Sequence, residues 1–300
     1  MKLIECVPNF SEGKRQEVID AIIGELDDYD VKILDRSPDA DHNRTDVTII
    51  GAPGEVKDAA LAMAKKAVEL IDMTEHSGEH PRMGAMDVVP FIPLMGATME
   101  DCIELANDFA KTFAGDTGVP CYLYEEAATR PERKNLAKIR KGEFEGLRDA
   151  IGTDPERKPD FGPNKIHPTA GATAVGARFF LIAFNVNLGT DDIDVAKKIA
   201  KAVRHSSGGY RHVKAMGFEI KERGIVQVSM NMVNYRGTPL FRVFETIKNE
   251  AARYGVTVIG SELIGLLPME ALLDVADYYL RLEDFDPGQV LEQRMMEDLV

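Results

Sequence analysis

The first half of the chain alternates between the spacing of strands and the spacing of amphipathic helices. Apolar, often β-branched runs predict strands over residues 3–7, 31–34, 47–50 and 86–94. Helices are predicted over residues 15–26 and 53–71, because apolar side chains recur there three and four positions apart. The order of these elements is β-α-β-β-α-β. A helix over 98–113, a strand over 119–124 and a polar, basic surface segment over 129–140 follow.

The second half repeats this order after a connecting stretch. Residues 154–176 are rich in proline and glycine, and we interpret them as an ordered loop. Strands are then predicted over 179–186, 213–220, 225–232 and 257–259, and helices over 191–205 and 240–254. Each half fits a split βαβ unit of ferredoxin-like type. We therefore predict an α+β protein with two consecutive ferredoxin-like subdomains, residues 1–179 and 180–300.

The charge of the chain excludes two classes of partner. Its 300 residues include 36 basic and 50 acidic side chains, for a formal net charge of −14. Such a chain repels nucleic acid and anionic membrane unless basic groups are concentrated locally, so neither is expected as a partner. No apolar stretch is long enough for a signal peptide or a membrane span, and we expect a cytoplasmic protein.

The cysteines give no signal for a disulfide framework or a metal site. Cys6, Cys102 and Cys121 are widely spaced, and no Cys-x-x-Cys pair occurs. We interpret them as buried or half-buried thiols.

The densest group of chemically capable side chains lies in residues 75–87. His76 and His80 have the spacing of a metal-binding pair, but such a pair needs one helical face, and Gly78 and Pro81 break a helix here. Two solvated loop histidines are an open alternative. We favour a functional loop, because Pro81 restricts the turn and Arg82 places an anion-binding group beside the imidazole of His80.

Three other polar loops leave functional and structural interpretations open. Residues 39–45 place Asn43 and Arg44 before a strand, where they could orient a carboxylate or form an ordinary polar turn. Residues 161–173 are glycine-rich but contain no phosphate-binding or dinucleotide fingerprint. Residues 207–214 carry several basic side chains, which also fits a solvated turn. Composition and periodicity alone give no reaction.

These loops resemble those of the glutamate formimidoyltransferase family, the transferase portion of formimidoyltransferase-cyclodeaminase. The stretch ECVPNFSEG at residues 5–13 and the string GEHPRMGAMD at 78–87, followed by PFIP at 90–93, carry the resemblance. Further matching stretches are PDFGP at 159–163, GAT at 171–173, GAR at 176–178 and AFNVNL at 183–188. Strings of this length, spread over nearly the whole chain, are far more specific than one short motif.

The resemblance implies a fold, a reaction and a site. The fold is two α+β subdomains with a ligand groove between them. The reaction transfers the formimino group of N-formimino-L-glutamate to the co-substrate tetrahydrofolate, giving 5-formiminotetrahydrofolate and L-glutamate, in histidine degradation and one-carbon metabolism. The catalytic residue falls on His80. The family's folate-binding stretches correspond to Gly162, Pro163, Asn164, Lys165, Ile166, His167, Pro168, Thr169, Ala170 and Gly171, and to Gly208, Gly209, Tyr210, Arg211, His212, Val213, Lys214, Ala215, Met216 and Gly217.

The transfer requires proton movements and carboxylate binding that single side chains can provide. N5 of tetrahydrofolate must lose a proton and the leaving amine must gain one, and one imidazole that titrates near neutral pH can do both. His80 is the candidate, with Asp35 or Asp39 as the acid that orients it. Arg44 or Arg82 could hold a substrate carboxylate. No metal is expected, because both substrates already carry ionisable nitrogens.

An anionic folate needs a positively charged path on a chain of this net charge. Lys165, Arg211, His212 and Lys214 are the candidates for that path. Two other functions stay open: folate-dependent formyl transfer between glutamate and tetrahydrofolate, and non-catalytic folate binding. A homodimer is an open question, and a separate cyclodeaminase is expected to act on the product.

Overall fold

The protein is represented by a computed structural model that describes residues 2–78 and 81–298. It divides into two compact units, Met1–Arg178 and Phe179–Val300. The strands of the first unit are β1 (Ile4–Cys6), β2 (Asn9–Phe10), β3 (Val31–Asp39), β4 (Arg44–Gly51), β5 (Met86–Pro93), β6 (Cys121–Glu125) and β7 (Thr173–Ala177). Its helices are α1 (Gln16–Gly24), α2 (Pro53–Leu70), α3 (Met99–Thr117), α4 (Leu136–Ile139) and α5 (Glu143–Ala150).

The second unit contains a shorter series of elements. Its strands are β8 (Ile182–Leu188), β9 (Val213–Ile220), β10 (Ile225–Met232) and β11 (Val258–Ile264). Its helices are α6 (Ile193–Val203), α7 (Leu240–Arg253), α8 (Met269–Leu280) and α9 (Leu291–Asp298). Within the described residues, no helix is both long and apolar enough to cross a membrane.

Each unit is built on the strand order of a split βαβ fold. In the second unit, antiparallel strands lie in the order β11-β8-β10-β9, with α6 and α7 as the two crossover helices. In the first unit, β3, β4, β1 and β5 have the equivalent order, and the short β2 continues the position of β1 between β4 and β5. β7 and β6 then extend the sheet in parallel beyond β5. The predicted α+β class with two consecutive subdomains is confirmed, whereas the ligand groove stays a prediction.

The sheet of the first unit has an apolar face and a polar face. Helices α2 and α3 cover the apolar face, where Phe91 of β5 meets Phe109 of α3 edge to face with ring centroids 5.9 Å apart. Side chains directly opposite each other on paired strands point to the same side. Because Cys6 is opposite Phe91, the neighbouring Glu5 and its partner Ile92 point away from these helices.

Tyr124 lies on this second, more polar face. It is opposite Gly176 of β7, and Gly176 is opposite Pro90 of β5. A Cβ atom added to Gly176 would lie 2.5 Å from Cε1 of Tyr124. The aromatic ring therefore lies directly across the backbone of β7, which only glycine permits.

The prediction of one continuous loop at the end of the first unit is wrong. The sequence predicts a loop over 154–176, whereas Thr173–Ala177 form β7, whose small residues are buried on both faces and so show no polar alternation. The segment 129–140 lies mostly at the surface, as predicted, although Arg133 within it is 3% exposed and is ion-paired with Asp160. The short strand β2 and helices α5 and α8 are also absent from the sequence prediction.

We predict that Gly176→Ala lowers the free energy of unfolding by about 1–3 kcal/mol, because the added methyl group collides with the ring and the carbonyl oxygen of Tyr124. Urea denaturation measures the change. The matched control is Gly115→Ala in α3, where an added Cβ meets no atom within 4 Å. That control should stabilise the protein by up to about 1 kcal/mol through helix propensity. Equal effects of the two substitutions would contradict the packing of Tyr124 described here.

Candidate active site

Several loops of the first unit converge around residues 76–85. The segment after β2 approaches the β3–β4 turn so closely that a Cβ on Gly13 would lie 2.0 Å from the carbonyl oxygen of Asp39. Gly78 approaches the same turn, and a Cβ there would lie 2.4 Å from the carbonyl oxygen of His42. These glycines are required because backbone packs directly on backbone.

Asn43 joins the converging loops. Its side-chain Oδ1 accepts a hydrogen bond from Gly13 N at 3.0 Å, and its Nδ2 donates to the carbonyl oxygen of Ser77 at 2.9 Å. Its backbone has a φ of 51°, the left-handed conformation that asparagine tolerates better than most residues. From the sequence, Asn43 could either orient a carboxylate or belong to an ordinary polar turn, and these hydrogen bonds give it a structural role. The sequence feature that indicates this structural role is the position of the asparagine, in a tight turn that precedes a strand.

His76 is held as a neutral, structural residue. Its Nε2 lies 3.0 Å from the carbonyl oxygen of Asn43, and its Nδ1 accepts from Nε of Arg82 at 3.3 Å. The first contact requires a proton on Nε2 and the second requires a lone pair on Nδ1, which together define one neutral tautomer. Burial lowers the pKa of His76, and the nearby Arg82 adds to this effect. Both nitrogens are therefore occupied, so His76 is unsuited to metal binding in this conformation.

The guanidinium group of Arg82 is saturated by protein acceptors. Nη1 donates to Glu143 at 2.7 Å and to Glu145 at 2.9 Å, and Nη2 donates to Glu145 at 2.8 Å and to the carbonyl oxygen of His76 at 3.2 Å. With the bond from Nε to His76, all five N–H groups have a partner. Arg82 is 7% exposed. In this arrangement no N–H group is left for a substrate carboxylate, and the predicted role of Arg82 in holding one stays a prediction.

Asp87 fixes the end of the loop where β5 begins. Its Oδ1 accepts from Met83 N at 2.7 Å, and its Oδ2 is ion-paired with Arg140 at the end of α4. Asp46 on β4 lies nearby and is paired with Arg44 at 2.7 Å. Burial raises the pKa of Asp46, while Arg44 and Arg140 oppose this increase. Arg44 thus borders the converging loops, and its predicted role in substrate binding stays a prediction.

The two acids proposed to orient the catalytic imidazole have other partners among the described residues. Asp39 accepts from His42 N at 2.9 Å and lies 2.8 Å from Nδ1 of His42. These hydrogen bonds lower the pKa of Asp39. Asp35 accepts from the hydroxyl of Ser37 at 2.9 Å. His80, like Glu79, lies outside the described residues, so the orienting acid stays a prediction.

The first predicted folate stretch packs against the same loop. Ala85 N donates to the carbonyl oxygen of Ala170, and Ala172 N donates to that of Met83, each at 2.9 Å. His167 closes a tight turn by pairing with Gly171, and its Nδ1 accepts from Ala170 N at 3.0 Å. Burial lowers the pKa of His167. Ile166 belongs to the core, whereas the exposed members of the stretch are Gly162, Pro163, Asn164, Lys165 and Pro168.

The second predicted folate stretch belongs to the second unit and has both structural and exposed members. Val213 and Ala215 are buried in its core, and Tyr210 shares a 2.6 Å hydrogen bond with Thr246. Gly209 and Gly217 pack against the backbone of α6, and Gly208 has a positive φ of 93°. The ring of His212 lies against Gly237, and burial lowers the pKa of His212. The exposed members are Gly208, Arg211, Lys214 and Met216.

A metal site is not evident in the part of the chain that the structure describes. Within residues 2–78 and 81–298, no three His, Cys, Asp or Glu side chains are grouped closely enough to hold a metal ion. Cys6, Cys102 and Cys121 are free and buried, as predicted from the sequence. Burial raises the pKa of all three thiols, which leaves them protonated and unreactive.

Comparison with known proteins covers almost the entire chain. The "Formiminotransferase domain, N-terminal subdomain" matches residues 3–178, and the "Formiminotransferase domain" matches residues 183–295. The chain is 54% identical over 297 residues to a glutamate formimidoyltransferase of Streptococcus pyogenes serotype M1, covering 98% of this chain and 99% of that protein. It is 49% identical over 298 residues to a glutamate formimidoyltransferase of Thermoplasma acidophilum, covering 98% of each.

A longer relative contains a second named activity. The chain is 46% identical over 291 residues to a formimidoyltransferase-cyclodeaminase of Dictyostelium discoideum. The match covers 94% of this chain but 54% of that protein.

We predict that Asn43→Gly lowers the free energy of unfolding by about 2 kcal/mol. Glycine keeps the left-handed backbone but removes two side-chain hydrogen bonds, each contributing about 1 kcal/mol. Asn43→Asp keeps the acceptor for Gly13 and loses the donor to Ser77, so it should cost about half as much. Denaturant titration measures both changes. If the two variants were as stable as the parent, Asn43 would not connect these loops.

Proposed function

The chain belongs to the formiminotransferase domain family, and on this premise we propose that it transfers the formimino group of N-formimino-L-glutamate to tetrahydrofolate. The products are 5-formiminotetrahydrofolate and L-glutamate. The observation that carries this function is the near-complete match, at 54% identity, to a protein named glutamate formimidoyltransferase. The protein is accordingly a transferase, with tetrahydrofolate as its co-substrate.

His80 is our proposed acid-base residue. The two described ends of its loop support this role, because they are fixed independently of each other. The entry is held by the bond from Asn43 to Ser77, and the exit is held by Asp87 and by the pairing of Met83 with Ala172. A rigid frame of this kind reduces the entropy lost when a catalytic group and two substrates are aligned.

The proposed reaction balances with one imidazole. N5 of tetrahydrofolate attacks the formimino carbon and forms a C–N bond, and neutral His80 takes the proton that N5 releases. The resulting imidazolium gives that proton to the glutamate nitrogen. The bond between this nitrogen and the formimino carbon then breaks, and glutamate leaves as the amine. His80 is neutral again at the end of the cycle.

The remaining site residues have different proposed roles. Arg44 remains our candidate for a substrate carboxylate. Arg82 is better suited to positioning the loop, since its N–H groups are all engaged by Glu143, Glu145 and His76. Exposed Lys165, Arg211 and Lys214 are suited to attract the negatively charged folate tail, with His212 as a neighbouring donor.

Several finer points follow from the same proposal. We expect transfer without a metal, in the cytoplasm, with small molecules rather than nucleic acid or membrane as partners. A separate cyclodeaminase would consume the product, as the fused name of the Dictyostelium relative suggests. Whether the protein forms a homodimer stays open.

Formyl transfer is the second candidate function, because formyl and formimino groups differ by one exchange of oxygen for nitrogen. Comparing the turnover of N-formyl-L-glutamate with that of N-formimino-L-glutamate distinguishes the two functions.

We predict that His80→Ala lowers kcat by roughly 100-fold or more, with little change in tetrahydrofolate affinity. The measurement is the absorbance change on incubating tetrahydrofolate and N-formimino-L-glutamate with a chelator present. His205→Ala, an exposed histidine in the second unit, serves as the matched control. Near-normal turnover by folded His80→Ala would exclude His80 as the acid-base residue. Absence of turnover in the parent protein would exclude the function itself.

We predict that Arg82→Lys lowers kcat by roughly 10- to 100-fold and leaves KM for N-formimino-L-glutamate nearly unchanged. Lysine supplies three N–H groups instead of five, so the loop loses part of its anchoring. Steady-state kinetics separates the two constants. Arg148→Lys on α5, whose side chain is 51% exposed, is the matched control. A large rise in KM at constant kcat would contradict the positioning role and would indicate that Arg82 binds a substrate carboxylate.

A further inference from the structure

The polar face of the first unit's sheet carries a buried carboxyl group with an unused oxygen. Glu5 is 3% exposed, and among the described residues no group donates a hydrogen bond to its Oε2. Its neighbours on the paired strands are apolar, Ile50 on β4 and Ile92 on β5. A buried acceptor without a donor destabilises the folded protein, so its retention calls for an explanation.

The environment of Glu5 changes the pKa of its carboxyl group. Burial raises the pKa of Glu5 to about 7, and the charge of Arg178 limits this increase. The same arginine acts on Tyr124, whose pKa is raised to about 12 by burial and lowered in part by Arg178. Glu5, Arg178 and Tyr124 therefore belong to one electrostatic environment on this face.

The ring of Tyr124 lies on the same face of the sheet as Glu5. The ring of Tyr124 lies over Gly176 of β7, and β7 is separated from β1 by β5 alone. With strands about 4.8 Å apart and an offset of two residues along β5, the backbones of Glu5 and Gly176 are about 12 Å apart. Pro90 of β5 lies between them on the same face. The Glu5 carboxyl group can accept hydrogen bonds from a flat ring that carries N–H groups, and the Tyr124 ring can pack against it.

We propose that Glu5 and Tyr124 form the subsite for the pterin ring of tetrahydrofolate, an inference that rests on the proposed function. The carboxylate of Glu5 accepts two hydrogen bonds from the pyrimidine edge of the pterin, one from N3–H and one from the 2-amino group. Tyr124 packs against the ring and supplies apolar contact.

Other parts of the two substrates fit Glu5 less well. The glutamate portions of both substrates carry carboxylates, which a buried carboxylate repels. The formimino group carries N–H donors, but it must meet N5 at the catalytic loop, within about 3–3.5 Å. The exit of that loop is marked by Ser11, whose hydroxyl donates to the carbonyl oxygen of Gly84 at 2.8 Å. The pyrimidine edge is the donor-bearing edge of the pterin that points away from N5.

The test uses Glu5→Gln, which keeps the side-chain volume but replaces one acceptor oxygen with a donor. We expect its Kd for 6-methyltetrahydropterin, the ring without the tail, to rise about 10- to 100-fold, with a similar rise for tetrahydrofolate. The Kd for p-aminobenzoyl-L-glutamate, the tail without the ring, should not change. Anaerobic calorimetry measures all three. Glu17→Gln in the exposed first turn of α1 is the matched control.

Two further variants keep the test decisive if Glu5→Gln folds poorly. Tyr124→Phe should retain pterin affinity, whereas Tyr124→Leu should lose roughly tenfold, because the aromatic surface is what the ring contacts. An unchanged Kd for 6-methyltetrahydropterin in folded Glu5→Gln would overturn the proposal, as would loss of tail affinity in place of ring affinity. A parent protein that binds the pterin but transfers no formimino group would contradict the proposed function and leave this subsite standing.

Discussion

The backbone pairing between residues 83–85 and 170–172 is the constraint on which the candidate site depends. Gly84 and Gly171 approach so closely that a Cβ on Gly84 would lie 2.1 Å from the carbonyl oxygen of Ala172, and one on Gly171 would lie 2.2 Å from that of Met83. Both segments run directly into the parallel ladder of β5 and β7. The exit of the predicted catalytic loop therefore cannot shift without disturbing the sheet. The first predicted folate stretch is attached to the same ladder, so the two predicted functional segments share one rigid support within the first unit.

Buried cations in this acidic protein serve mainly to hold segments together. Arg82 joins the loop to the start of α5, Arg140 joins α4 to Asp87, and Arg133 joins its 3₁₀ turn to Asp160. A buried ion pair is costly to break, because removal of one partner leaves the other charge buried without a counter-charge. Such residues are poor candidates for a substrate that must bind and leave. Attraction of an anionic folate is better assigned to exposed cations, whose charges are solvated and available to a partner at short range.

The sequence predicts the two ferredoxin-like subdomains well, because their strands and helices alternate with clear apolar periodicity. It fails at β7, where the small residues Thr173–Ala177 are buried on both faces and look like part of a glycine-rich loop. The site is predicted only in part for a related reason. Motif matching selects the loop containing His76, His80 and Arg82, but it assigns no protein partner to His76 or Arg82. The saturation of Arg82 depends on Glu143 and Glu145, about sixty residues away in sequence, and no local pattern reveals such a contact.

Hydrogen-bond saturation separates structural from ligand-binding residues of the same type, and the two glutamates of the stretch ECVPNFSEG illustrate the point. Burial alone would raise the pKa of Glu12, yet it is lowered, because its carboxylate accepts from the backbone N–H groups of Arg15 and Lys14 and from the Arg15 side chain. Glu12 thereby holds the start of α1 and has little capacity for a ligand. Glu5, seven residues earlier, is equally buried but has an Oε2 without a donor among the described residues, and its pKa is raised. A protein gains no stability from such a group, since a glutamine or an apolar residue would bury at lower cost. Its presence is explained if the missing donor arrives with a substrate.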